Sequence, residues 1–104
     1  MVSLSSFKKL RISAPAKADL TGIGDYTRRQ WGAAQKQKYL DQIRDKFKAL
    51  LETPGLGPPR DDISEGLRSC PVGKHLIFYR TTDAELLIIR VLHESMDVEA
   101  WIAD

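Results

Sequence analysis

The 104-residue sequence contains one cysteine and two histidines. A single thiol cannot form an internal disulfide, and Cys70 with so few histidines does not supply the spaced ligand set of a metal site. We therefore expect neither a metal ion nor a cofactor. No run of about 18 apolar residues exists, which argues against a transmembrane helix, and the first residues lack the apolar stretch of a secretory signal. These absences predict a protein of the reducing cytoplasm with no membrane partner.

An excess of either charge is also lacking, because 16 basic residues are matched by 14 acidic ones. The net charge of +2 is too small to indicate that the whole surface binds nucleic acid, so only a local cluster of charge would be informative. No direct sequence-specific nucleic-acid binding is expected. A chain of this length is expected to form one domain, residues 1–104, which buries about two thirds of its unfolded surface.

Three short apolar runs lie between residues 66 and 93. Turn signals at residues 71–73 and 81–84 separate them, and connections this short join antiparallel neighbours. The runs therefore predict a three-stranded antiparallel meander. In two of its strands apolar residues alternate with other apolar residues, as Leu76 does with Ile77, so both faces of the sheet need a cover.

Two helices are predicted before the meander. Ser13 can cap the first, and Pro15 is tolerated in its first turn. Gly32 ends this helix and the second follows at once, so the pair forms an antiparallel αα-hairpin. Apolar residues recur along both at helical spacing, and the combined stripe is expected to cover one face of the sheet. The stripe consists of Ala16, Leu20, Ile23 and Thr27, continuing toward Trp31, and of Tyr39, Leu40, Ile43, Phe47, Leu50 and Leu51.

Three shorter segments complete the predicted fold. Residues 8–13 alternate basic with apolar side chains and indicate an edge strand. Residues 53–65 hold three prolines and two glycines, which predicts an irregular loop. Residues 94–104 indicate a short helix, capped by Asp97, that covers part of the second sheet face. The fold class is therefore α+β, with an N-terminal edge strand, an αα-hairpin, a three-stranded meander and a C-terminal helix.

The candidates for chemistry are arginines and one histidine on the predicted strands. Arg68, Arg80 and Arg90 could grip phosphates or the carboxylates of a partner peptide, or pair with acids of the chain itself. His93 could act as a general acid or base, although a histidine at a strand end more often caps or packs. No Ser-His-Asp order and no paired glutamates stand out. Trp31 and Trp101 are interpreted as core or interface anchors rather than as a base-stacking platform.

The two-residue period of a strand also predicts which way one of these arginines points. Arg90 is expected to share a strand face with Ile88 and Leu92.

The order of the elements resembles the ParE branch of the RelE/ParE toxins from type II toxin–antitoxin modules. The resemblance covers Ile12 to about Asp97, and it implies a toxin that poisons DNA gyrase without catalysing a reaction. It also implies that a ParD-like antitoxin holds the toxin inactive in a hetero-oligomer. The phrases that carry it are ADL at residues 18–20, WG at 31–32, GLR at 66–68, HLIFYR at 75–80 and RVLH at 90–93.

The resemblance and the two-sided sheet together predict where the antitoxin binds. A short chain cannot fully cover both sheet faces, and a disordered segment that folds on binding can cover what remains. The residues assigned to antitoxin binding are Arg68, Leu76, Phe78, Arg80 and Trp101. No catalytic residue is assigned, and the residues that contact the target stay unknown.

The RelE branch, which cleaves messenger RNA on the ribosome, is the alternative. In that case Arg68, Arg90 and His93 would be the catalytic residues, as an acid or base beside cations that stabilise the phosphorane. Relatives of that branch have basic residues before the second strand. Here residues 60–65 carry three acids after one arginine, and these acids would repel RNA. This departure favours the non-enzymatic branch.

Overall fold

A computed structural model describes residues 8–102 of the chain. The predicted α+β class and the predicted order of elements are confirmed. Residues 103 and 104 of the expected terminal helix lie outside the described residues. No helix within residues 8–102 is long and apolar enough to cross a membrane. The elements are β1 (Lys9–Ile12), α1 (Ala14–Trp31), α2 (Ala33–Glu52), β2 (Arg68–Val72), β3 (His75–Thr81), β4 (Glu85–His93) and α3 (Val98–Trp101).

The four strands form one sheet in the order β1-β4-β3-β2. β2, β3 and β4 are antiparallel neighbours, as their short turns require. β1 is the predicted edge strand, and it lies parallel to β4 with Leu10 opposite Leu86. Parallel neighbours need a long crossover, and the αα-hairpin together with the loop that follows it forms most of this connection.

The helices begin and end where local signals place them. The Ser13 hydroxyl accepts the Ala16 amide at 3.1 Å, which confirms the predicted N-cap. Gly32 alone joins the helices, at a φ of 94° that side-chain-bearing residues rarely adopt. Its amide donates to the carbonyl of Arg28 at 2.8 Å. The single-residue link explains why the two helices return antiparallel with almost no loop.

The combined helical stripe packs on one sheet face, which we call the helix-side face. Phe47 and Leu50 are buried there, as their spacing predicts, at 3% and 0% exposure. The stripe of α1 ends at Thr27, because Trp31 one turn farther is 72% exposed. Of the two predicted roles of Trp31, core or interface anchor, the core role is therefore wrong, and the interface role stays a prediction. The buried residues of this core are Ala16, Ile23, Ile43, Phe47, Leu50, Cys70, Val72, Ile77, Tyr79, Leu86, Ile88 and Val91.

The opposite face, which we call the second sheet face, carries a smaller core. Its buried residues are Leu67, Phe78, Leu92 and Ile102. The loop between α2 and β2 covers one side of this face, and the C-terminal turn covers the other. The cover is incomplete, since the strand residues Leu76 and Ile89 are only partly buried. Around the buried residues lie four partly buried side chains, Ile63, Leu76, Ile89 and Val98.

A bulge in β4 changes the direction of Arg90. The consecutive residues Phe78 and Tyr79 pair with Arg90 and Ile88, so β4 has one residue more than β3 at this point. Ile88 therefore joins the helix-side core, whereas Leu92 joins the core of the second sheet face. The prediction that Arg90 shares a face with both residues is wrong, because a bulge interrupts the two-residue period.

The start of α1 closes the edge of β4 beyond the end of β1. The β1 strand stops at Ile12, so the next polar groups of β4 need partners other than a strand. The Ser13 hydroxyl donates to the carbonyl of Ile89 at 2.7 Å. The Asp19 carboxylate accepts the amide of Val91 at 2.9 Å. These two side chains take over the role of the missing strand neighbour.

Asp19 also forms a bidentate ion pair with Arg90. The Nε and Nη2 atoms of Arg90 each lie 2.8 Å from a carboxylate oxygen. The side chains are only 17% and 13% exposed, so solvent screens their attraction weakly. The hydrogen bond to Asp19 is the main cause that raises the pKa of Arg90 above its ordinary value. This pair fastens the first helix to the last strand.

We expect Asp19→Ala to lower the free energy of unfolding by about 3–5 kcal/mol, because it leaves a mostly buried guanidinium without its partner. Urea denaturation measures the loss. The control is Asp41→Ala, which removes an ion pair to Arg44 whose side chains are 51% and 63% exposed, and it should cost at most about 1 kcal/mol. Similar losses in the two variants would contradict the importance of the Asp19 pair.

Candidate functional site

Four of the five residues predicted to bind an antitoxin lie at the second sheet face. Leu76 and Phe78 belong to its core, and Arg80 follows them at the two-residue period of β3. Trp101 lies on α3, which covers this face. Phe78 has no exposed surface, so a partner reaches it only if the covering residues move. Leu76, Arg80 and Trp101 are accessible as the chain stands.

The covering loop holds Arg80. Its Nη1 donates to the carbonyl of Glu65, and its Nη2 donates to the Ser64 hydroxyl at 2.6 Å. Two acids of this loop are also engaged. Asp62 pairs with Arg60 at 3.1 Å, and Asp61 accepts the amide of Gly66 at 2.9 Å. Arg80 thus contacts the loop backbone instead of pairing with one of these acids.

The fifth predicted residue, Arg68, lies apart from the other four. It stands opposite Tyr79, which belongs to the helix-side core. Its Nη1 donates to the carbonyl of Gly57 at 2.6 Å. The amide of Gly57 donates to the Tyr79 hydroxyl at 2.9 Å, and that hydroxyl donates to the carbonyl of Pro54 at 2.7 Å. A Cβ on Gly57 would lie 2.4 Å from the carbonyl oxygen of Ser69, so only glycine fits, and the loop is fixed here.

Arg90 connects the Asp19 pair to the second sheet face. Its Nη1 donates to the carbonyl of Trp101 at 3.1 Å. The guanidinium carbon also lies 5.4 Å from the centroid of the Trp101 ring, within the range of a cation–π contact. Arg90 therefore helps to hold the C-terminal turn, together with the buried side chain of Ile102.

A polar cluster joins α2 to the far end of the sheet. The Tyr39 hydroxyl accepts the amide of Lys74 at 3.1 Å and lies 2.6 Å from Nδ1 of His75. His75 and His93 are cross-strand partners, and their rings meet edge to face at 5.3 Å. A Cβ on Gly73 would lie 2.5 Å from the Tyr39 ring, which explains why the β2–β3 turn fits under that ring. Sequence periodicity assigned Tyr39 to the stripe but gave no sign of this cluster.

The two histidines have different surroundings. Nδ1 of His93 accepts the amide of Ser95 at 3.1 Å and lies 2.7 Å from the Ser95 hydroxyl. His93 therefore caps the turn after β4, in line with the expectation for a strand end. Burial lowers the pKa of His75, and the charge of His93 lowers it further.

The three residues of the ribonuclease alternative do not converge. His93 pairs with His75, which in turn pairs with Val72 at one end of β2. Arg68 lies at the other end of β2, four residues before Val72, which is roughly 13 Å at the rise of a strand. Arg90 is bound to Asp19. Within residues 8–102, no group of three or more His, Cys, Asp or Glu side chains is placed to hold a metal ion.

The αα-hairpin packed on a four-stranded sheet defines the fold class, a small α+β protein. A solved structure described as the chromosomal ParDE TA system from P. aeruginosa superimposes with a TM-score of 0.74 at 22% identity. It covers 85% of this chain and 97% of that one. At this identity the likeness concerns the fold alone.

Sequence comparisons define the family. The family model described as "ParE toxin of type II toxin-antitoxin system, parDE" matches residues 10–98. Toxin ParE1 of Caulobacter vibrioides is 39% identical, over 91% of this chain and 98% of the relative. Toxin ParE of Escherichia coli is 36% identical, over 89% of this chain and 91% of the relative. Toxin ParE1 of Mycobacterium tuberculosis is 35% identical, over 85% of this chain and 91% of the relative. The chain belongs to the ParE toxins of type II toxin–antitoxin systems.

The lowered pKa of His75 predicts a pH-dependent stability. The unfolded histidine, with a pKa near 6.5, binds a proton more readily than the folded one. Stability from His75 is therefore fully present above about pH 6.5, and it is lost as the pH falls through the folded pKa. Denaturation at a series of pH values should show this decline, and His75→Gln should flatten it. An unchanged slope in the variant would assign the decline to other groups.

Proposed function

We propose that this ParE toxin acts by binding DNA gyrase and trapping it on cleaved DNA, without catalysing a reaction itself. The observation that carries the proposal is the engagement of the candidate cations within the chain. Arg68 is bound to Gly57 and Arg90 to Asp19, and His93 lies at the far end of β2 from Arg68. A ribonuclease would need an acid or base beside cations around one phosphate, and these side chains offer no such position. The family supports the same reading.

We further propose that a ParD-like antitoxin binds the second sheet face in a toxin–antitoxin hetero-oligomer. Leu76 and Ile89 are only partly covered there, and Trp101 is half exposed. Apolar side chains left at a surface favour association, because their burial removes contact with water. The incomplete cover matches a partner segment that orders on binding. Arg80 at the rim adds a donor for carboxylates of that segment.

The antitoxin proposal predicts a large change in thermal stability. Free antitoxin at about 1,000 times its dissociation constant should add roughly 4 kcal/mol to the stability of the toxin.

The binding site is tested by substitution. Leu76→Ser should weaken the affinity for the antitoxin, measured by calorimetry. The matched control is Leu51→Ser, which alters a similarly half-buried leucine on the helix side and should lower the melting temperature without changing that affinity. An unchanged melting temperature at saturating antitoxin would refute the proposal.

The mechanism is tested by replacing His93. His93→Gln keeps hydrogen bonding but cannot titrate near neutral pH. A gyrase poison should tolerate the change, whereas a ribonuclease using His93 as acid or base should lose about 10²–10⁴-fold in rate. Purified toxin is incubated with gyrase, ATP and supercoiled plasmid, and in parallel with ribosomes carrying messenger RNA.

The expected result is protein-linked linear DNA in the gyrase assay, for both the natural chain and His93→Gln, and intact message on the ribosome. Message cleaved on the ribosome and protected by His93→Gln, with no effect on gyrase, would overturn the proposal in favour of the RelE-type activity.

A further inference from the structure

The tip of the αα-hairpin, residues 26–38, concentrates positive charge. It contains four cations, Arg28, Arg29, Lys36 and Lys38, and no acidic residue. The chain as a whole carries +2, so the remainder carries −2. The tip is therefore one local cluster of charge that the mild overall balance conceals. Residues 8–17 form another, with Lys8, Lys9, Arg11 and Lys17 and no acid, but there Arg11 pairs with Glu85.

The same tip carries exposed aromatic side chains. Trp31 is 72% exposed and Tyr26 is 58% exposed. These values exceed those of the other exposed large apolar residues within residues 8–102, which lie between 40% and 49%. Cations interspersed with exposed aromatic rings are typical of surfaces that bind single-stranded nucleic acid, where the cations meet phosphates and the rings stack on bases.

Helix stability does not account for all of this charge. Arg28 and Arg29 lie in the last turn of α1, where cations favour the helix dipole. Lys36 and Lys38 lie near the start of α2, where cations oppose the dipole, and no acid occupies the first turn. None of the four belongs to an ion pair within residues 8–102. Lys38 is exposed, whereas Lys36 is partly buried and lines a groove that also contains Asp25. Lys38 is therefore the lysine that stays open to an external anion.

We propose that the hairpin tip binds the phosphate backbone of DNA without sequence preference, with Trp31 packing against the sugar or an unpaired base. The arrangement favours DNA over an acidic protein surface. Arg28 and Arg29 are consecutive in a helix and project about 100° apart, so a partner that neutralises both needs negative charge spread over a wide area. A duplex presents a negative charge about every 1.7 Å along its axis, and it can meet cations on several sides of the tip.

The salt dependence of binding counts the phosphates that the tip neutralises. Four contacts predict a slope of about −3.6 for log K against log salt concentration, and two contacts a slope of about −1.8. Fluorescence anisotropy with a short labelled duplex, starting at low salt and without gyrase, measures this slope. Arg28→Ala/Arg29→Ala should reduce its magnitude by about half.

The matched control is Lys17→Ala/Lys48→Ala. It also removes two exposed cations from α1 and α2, but at the base of the hairpin, and it should leave the slope unchanged. Trp31→Ala should weaken binding at every salt concentration with the slope retained. All substituted side chains are exposed, and thermal melting verifies that each variant folds.

Three results would overturn the proposal. The first is no DNA binding at low salt. The second is a salt slope that the loss of both arginines does not change, and the third is an equal reduction of the slope in Lys17→Ala/Lys48→Ala. If the tip variants lose gyrase binding while the natural chain does not bind free DNA, the tip contacts an acidic protein surface instead. Because the anisotropy assay contains no gyrase, its outcome is independent of whether gyrase is the target.

Discussion

One mostly buried carboxylate links the layers of this protein. Asp19 binds the guanidinium of Arg90 and the amide of Val91, so it attaches the first helix to a strand 71 residues later. Arg90 then holds the carbonyl of Trp101. The helical layer, the sheet and the C-terminal turn therefore share one network of charge-assisted hydrogen bonds. Such bonds are stronger in a mostly buried setting, where water competes weakly.

The sequence predicted the fold well wherever the signal is local. Helical spacing identified Phe47 and Leu50 as core residues, and both are buried, because periodicity along one helix records which side faces the sheet. The direction of Arg90 was predicted wrongly because the bulge depends on how β3 and β4 pair. Pairing is a property of two strands, so the sequence of β4 alone does not predict the position of the bulge. Trp31 shows a related limit, since a helical stripe does not reveal where the sheet beneath it ends.

The candidate site was predictable to a similar extent. Alternation along β3 placed Leu76, Phe78 and Arg80 together, and the structure keeps them on one face. The role of Asp19 was missed because its partner is so distant in sequence. An acid beside the apolar stripe of a helix is a weak signal for a buried ion pair, and it would have pointed to Asp19. Tyr39 gave less warning, since a tyrosine in a stripe looks the same whether or not its hydroxyl is used.

The two covers of the second sheet face are anchored unequally. On one side, several hydrogen bonds hold the loop. Arg80 donates to the carbonyl of Glu65 and to the Ser64 hydroxyl, and the amide of Arg60 donates to the carbonyl of Leu67 at 2.6 Å. On the other side, a single turn is retained by Ile102 and by the contact of Trp101 with Arg90. Arg90 contacts both the C-terminal turn and Asp19. Displacement of that turn would remove one hydrogen bond of Arg90 and expose its guanidinium to water, which would weaken the ion pair that attaches the first helix to β4.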